Sequence, residues 1–235
     1  MNRFPLIILM SIFYCSAIAQ NNIEINAGIY VEAQNYGGEK ELKRFLLQEM
    51  SYPSVALLSK TEGTVEVASI VNNKTGVPSK IHIKESVSEA LDAEAIRLYK
   101  MLLYNPLFYR GADKIYYSTL KFKFSVKNYQ RNCKKRGYNL SSLNETTSSN
   151  PYKIYRDNEV DVKPQIIFED TLENIATFIQ KNMKYPQGTL SLNITGTVKL
   201  FFVVESSGRI TNIKVQRPVG GGGTEEAIRL LLLTQ

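Results

Sequence analysis

The sequence predicts an α+β fold made of two copies of one small module. Three observations carry that expectation: an internal repeat, a change of hydrophobic period along each copy, and turn sequences that fold neighbouring strands back as hairpins. Ser51-Tyr52-Pro53, Gly63-Thr64-Val65-Glu66-Val67, Gly76 and Asp92-Ala93-Glu94-Ala95 recur in order as Lys184-Tyr185-Pro186, Gly196-Thr197-Val198-Lys199-Leu200, Gly208 and Thr224-Glu225-Glu226-Ala227. Tyr185 lies 133 residues after Tyr52, and Gly208 lies 132 after Gly76, so one loop residue has been lost between two strands. A period this long marks duplication of a whole domain rather than a solenoid repeat.

Each copy opens with a helix. Leu42, Phe45, Leu46 and Met50 fall at helical spacing over 39–50, and Leu172, Ile175, Ala176, Ile179 and Met183 do so ahead of Tyr185. Pro53 and Pro186 cannot continue those helices and bias the preceding tyrosine to an extended backbone. Period-two alternation follows: Val65, Val67, Ser69 and Val71 in one copy, and Val198, Leu200, Phe202 and Val204 in the other. Asn72 to Gly76 and Glu205 to Gly208 are turn sequences, so 80–84 and 211–215 return as antiparallel strands, with Ile81 and Ile83 inward. Asp92 and Thr224 are the expected N-caps of a second helix, with Glu94 and Glu226 complementing its first turn. A last strand is expected over Ile115 to Val126, rich in Tyr, Leu and Phe. Per module the order is helix, strand, strand, helix, strand, with the helices packed on one face of a small antiparallel sheet. The second copy's last strand is expected beyond Gln235. That copy should therefore show an open edge and be the less stable one, or the chain should be a truncated product.

The resulting division is a signal peptide over 1–19, module 1 over 28–127, an irregular basic linker over 128–161 and a truncated module 2 over 162–235. Arg3 is the only charge before an apolar run, and Ala17-Ile18-Ala19 suits a cleavage site, so export with cleavage is expected. The alternative is an uncleaved inner-membrane anchor. Cys15 lacks a lipoprotein context and would leave with the signal. Cys133 is then the one cysteine, without a disulfide; its basic flanks would lower its pKa, but it reads more simply as a bystander in a loop than as a reactive thiol. The net charge of +7 is concentrated in Lys127 to Arg136, and a basic run of that kind is most simply a solvated linker. Export and the lack of a binding motif argue against nucleic acid.

The ordered set of Tyr-Pro, Gly-x-Val-x-Val/Leu, turn Gly, (Asp/Thr)-x-Glu-Ala and Tyr104-Asn105-Pro106 resembles the C-terminal domain of TonB energy transducers, and more distantly the TolA type. The likeness spans Tyr30 to Lys127 fully and Gln165 to Leu233 in part. The family's tryptophan before the aromatic-x-Pro is Leu102 here, and no proline lies between Gln20 and Tyr52, where a TonB carries its spacer. The resemblance implies a periplasmic, non-enzymatic module that binds an outer-membrane receptor or other envelope protein by adding a peptide strand to a sheet edge. It implies a peptide-binding surface made of Ser51, Tyr52 and Pro53 with Ile115, Tyr116, Tyr117, Ser118, Thr119, Leu120, Lys121, Phe122, Lys123 and Phe124. The alternatives are a membrane-anchored energy transducer and a structural envelope protein that homodimerises through the edge.

No catalytic, metal or cofactor site is expected. His82 is the only histidine and falls on the polar side of a strand, which leaves no base for a nucleophile. One histidine and one mature cysteine do not make a zinc cluster. Gly220 to Gly223 lacks the lysine of a phosphate-binding loop and reads as a slack connection. Asn144-Glu145-Thr146 is a bare glycosylation triplet.

Overall fold

The computed structural model describes residues 29–106, 114–137, 153–156, 159–167 and 174–234. The expected signal segment, Cys15, Leu172 and the Asn144 triplet lie outside them. Helices and strands segregate as an α+β arrangement. The first copy runs β1 (Ile29–Glu32), α1 (Gly38–Glu49), α2 (Ser54–Leu58), β2 (Gly63–Val71), β3 (Pro78–Glu85), α3 (Glu89–Met101), β4 (Lys114–Phe124) and α4 (Val126–Arg136). The second runs α5 (Ile175–Asn182), α6 (Gln187–Ser191), β5 (Lys199–Val204), β6 (Ile210–Arg217) and α7 (Gly223–Leu232).

The first sheet has the order β1-β4-β2-β3, antiparallel except for β1, which lies parallel to β4. Alternation decides what it buries. Val65 and Val67 of β2 and Phe122 and Phe124 of β4 point to one face, where Phe45 of α1 and Leu91, Ala95 and Leu98 of α3 close over them. On the other face Glu66 takes ion pairs from Lys84 at 2.8 Å and Lys121 at 3.2 Å. His82 is exposed on that strand pair, as its position in the alternation implies. The β2–β3 turn closes through Asn72, whose side chain accepts from the Lys74 and Thr75 N–H groups. Gly76 is obligatory there: its φ is +71°, and a Cβ would meet the Tyr104 carbonyl oxygen at 1.9 Å.

Four local expectations differ from the structure. Ser88, not Asp92, caps α3, its Oγ accepting from the Leu91 N–H, because Asp92 is occupied by Ser86 Oγ and the Val87 N–H. Gly222, not Thr224, precedes α7, and the Thr224 hydroxyl instead ties down both backbone groups of Val219. The basic run after β4 is not irregular: Val126 to Arg136 form α4. Its Tyr129 is buried against Tyr52 at 5.3 Å between ring centres, and its Arg136 donates to the Leu47, Gln48 and Met50 carbonyls that end α1. Nor is the glycine run slack. Gly221 has φ +65°, and a Cβ there would lie 2.6 Å from the Thr189 nitrogen, so the loop packs hard on α6.

Among the described residues the second sheet is the hairpin β5–β6, and it leans on the first copy. Glu41 of α1 accepts from the Ile213 N–H, and the Asn212 amide bridges the Met101 carbonyl and the Leu103 N–H. Glu49, fully buried, holds the Arg209 guanidinium through two bonds of 2.8 and 2.7 Å. The outer edge of β6 is thus covered by side chains of the first copy.

Candidate peptide-binding edge

β4 is the strand on which the binding expectation rests, and the structure gives it two unequal halves. Its first residues are already paired: Tyr30, Val31 and Glu32 of β1 lie parallel to Ile115, Tyr116 and Tyr117. The Ala33 N–H donates to the Tyr117 carbonyl at 2.7 Å, so that carbonyl faces the outer edge. Alternate residues of a strand turn their backbone groups the same way. Thr119, Lys121 and Lys123 therefore present N–H and C=O outward, past the end of β1. There a groove of about 360 Å³ runs between α1 (Leu42, Leu46, Leu47) and α4 (Asn128, Tyr129, Arg131).

The middle of β4 is pinned from the core side. Ser118 is buried, its Oγ donating to Tyr104 Oη at 2.9 Å and its carbonyl accepting from Tyr99 Oη at 3.0 Å. Desolvation, reinforced by neighbouring Tyr99, pushes the Tyr104 phenol far above its usual value, so the network stays neutral. Leu120 is half-buried, while Phe122 and Phe124 belong to the core. Lys121 and Lys123 are exposed.

The Tyr-Pro segment sits elsewhere in the same core. Tyr52 is fully buried, its hydroxyl donating to the Thr61 carbonyl and its ring edge-on to Phe124 at 5.9 Å. Its side chain supports β4 from behind and is not open to a ligand. Ser51 and Pro53 are half-buried, and the Ser51 N–H is taken by Glu94.

Sequence reasoning missed a strap beside them. Arg97 pairs with Glu94 at 2.7 Å and donates to the Glu49 carbonyl, which ties α3 to the end of α1. Arg229 pairs with Glu226 and donates to the Asn182 carbonyl in the same way, and that guanidinium, with the Lys184 N–H, holds the Glu226 carboxyl down to about 2. The Glu-x-x-Arg spacing, present in both copies, was the available signal. β1 was missed as well, though Tyr30-Val31-Glu32 carries strand-forming residues.

Residues 48–126 and 181–231 match the model of the family described as Gram-negative bacterial TonB protein C-terminal, together more than half of the chain. The chain belongs to the TonB C-terminal family. One matched stretch falls within each copy, and the family is a periplasmic protein-interaction domain whose partners are outer-membrane receptors. No curated protein and no solved structure matches the chain. β1, most of α1 and almost all of α4 lie outside the matched stretches. Among the described residues no helix is long and apolar enough to cross a membrane, and no group of His, Cys, Asp or Glu is placed to hold a metal ion.

Proposed function

We propose that the protein is a non-enzymatic periplasmic binding module that captures an extended segment of an outer-membrane transport component by strand addition to β4. The observation that carries this is the outward-facing backbone of Thr119, Lys121 and Lys123 beside the groove, along which no strand lies among the described residues. Backbone pairing gives affinity without demanding particular side chains, and the groove offers apolar contact from α1 with basic side chains at its rim. Of the thirteen residues matched to the family's binding surface, the outer half of β4 is the part a partner can reach. Ile115, Tyr116 and Tyr117 already carry β1. The signature of residues 1–19 supports export with cleavage.

Lys121→Pro and Lys123→Pro each remove one outward N–H while sparing the ladder to β2. In a titration with peptides from the plug ends of co-occurring outer-membrane receptors, the mature protein is expected to bind saturably as a monomer. Both variants are expected to lose that binding while keeping the native circular dichroism. Unchanged affinity in both would sink strand addition at this edge. Concentration-dependent dimerisation without peptide binding would replace it with a structural role.

A further inference from the structure

Lys121 and Lys123 stand two residues apart on the face of β4 turned away from the core, and both are exposed. Lys121 lies directly opposite Glu66 of β2 and pairs with it, but Glu66 also takes Lys84, so one carboxylate serves two cations. Lys123 lies opposite Thr64, which offers no charge. Lys43 of α1 and Arg131 of α4 join them around the groove, where Glu39 is the one acidic residue against these four cations. Among the described residues Lys43, Lys123 and Arg131 form no ion pair. The groove therefore carries positive charge that the fold itself leaves unmatched.

Strand geometry converts that charge into a pattern. Residues of neighbouring strands that lie opposite each other share a face, and successive residues of one strand alternate between faces. A guest strand laid along β4 puts every second side chain beside Lys121 and Lys123. The side chains between them turn to the helix face, where Leu42, Leu46 and Met50 line the groove. Opposite charges directly across a ladder stabilise it, and like charges destabilise it. We propose that this edge selects an extended segment of a partner protein in which acidic and apolar residues alternate, a selection that rests on strand addition to β4. Main-chain pairing holds the guest, the apolar residues cover the helix side, and two carboxylates set against Lys121 and Lys123 distinguish it from other extended chains. Lys43 and Arg131 add long-range attraction for the same guest, which salt weakens.

The test uses the full chain and three fluorescein-labelled peptides of equal length, built on repeated Glu-Val, Gln-Val or Lys-Val pairs. The Glu-Val peptide is expected to bind saturably, about fivefold tighter than Gln-Val, with Lys-Val weakest, and to slow amide exchange over 119–123. Lys121→Gln with Lys123→Gln keeps the backbone and should bring Glu-Val down to the Gln-Val affinity while leaving Gln-Val unchanged. Lys127→Gln with Lys134→Gln, on α4 but outside the groove, should change neither. If the first double variant fails to fold by circular dichroism, the three peptides on the unaltered chain decide alone. Equal affinities for Glu-Val and Gln-Val, both with slowed exchange, overturn the selection and leave strand addition standing. Absence of saturable binding by any peptide, or binding without slowed exchange over 119–123, overturns both. An equal loss in the Lys127 and Lys134 variant would make the preference one of general surface charge and overturn the selection. Sedimentation with phosphatidylglycerol vesicles through Lys121 and Lys123, without preference among the peptides, would assign these cations to a lipid surface instead.

Discussion

Replacing Arg209 with methionine removes the partner of a fully buried carboxylate while keeping most of the side chain's apolar bulk. Glu49 sits at the end of α1 with no exposed surface, and both of its oxygens are engaged by the Arg209 guanidinium. Breaking such a pair from one side costs about 3–5 kcal/mol, because the remaining charge stays buried and uncompensated. Glu205 lies close enough to add repulsion to Glu49. The loss has a ceiling. Once it exceeds the free energy that docks β6 on α1, the hairpin swings away, Glu49 is hydrated, and further destabilisation stops. Urea unfolding followed by tyrosine fluorescence and far-ultraviolet dichroism measures the loss, and exchange of the Ile213 amide reports undocking. Arg209→Met is expected to lower stability by about 3 kcal/mol or to the docking ceiling, with Ile213 exchanging early in the second case. Glu49→Gln with Arg209→Met should recover most of the loss, since both charges are then gone. An Arg209→Met protein within about 0.5 kcal/mol of the parent, with slow Ile213 exchange, would refute the view that this pair clamps the two copies.

Three further outcomes follow from the geometry. Burial, opposed by the Thr211 hydroxyl and reinforced by Glu49, raises the Glu205 carboxyl above its usual value, so the ionised form is disfavoured in the fold. Glu205→Gln should stabilise the protein near neutral pH, with the gain fading as pH falls to about 4 and the unfolded carboxyl is protonated too. A constant difference between pH 4 and 7 would contradict that sign. Tyr129→Ala should cost about 3–5 kcal/mol, the usual loss for emptying a buried aromatic site; a melting temperature within a degree of the parent would mean α4 is a bystander. Gly221→Ala should destabilise α6 and α7 by at least about 1–2 kcal/mol through its left-handed backbone, read as faster exchange at Leu190 and Leu230; unchanged exchange at both would refute the close packing on Thr189.

The duplication, the sheet strands and the main helices were legible because their periods are local: Val65 to Val71 alternate, and Leu42 to Met50 recur at helical spacing. What escaped depends on distant partners. Tyr30-Val31-Glu32 becomes a strand only because β4 offers an edge some 85 residues later. The charges of α4 hide that Tyr129 and Arg136 have sites waiting on Tyr52 and the end of α1. Tyr52 was read as a surface contact on family likeness, yet its ring supports the core. Asp92 looked like a cap, but the actual cap depends on which hydroxyls and amides reach it in space. That 115–126 would form a strand was readable; that its first residues pair with β1 was not.

The reliance of β6 on α1 and α3 also imposes an order in time. An isolated two-stranded hairpin is marginal in water, whereas the first copy is complete once Arg136 has joined it. Chains begin folding from the end that is free first, so the first copy can form while β5 and β6 are still emerging. It then presents Glu41, Glu49 and the end of α3 as a ready surface on which the hairpin condenses. Mutations in the second copy should leave the early folding phase untouched and slow only the late one, whereas a defect in α1 should delay both. The duplicated chain would thus assemble as template and follower rather than as two equals.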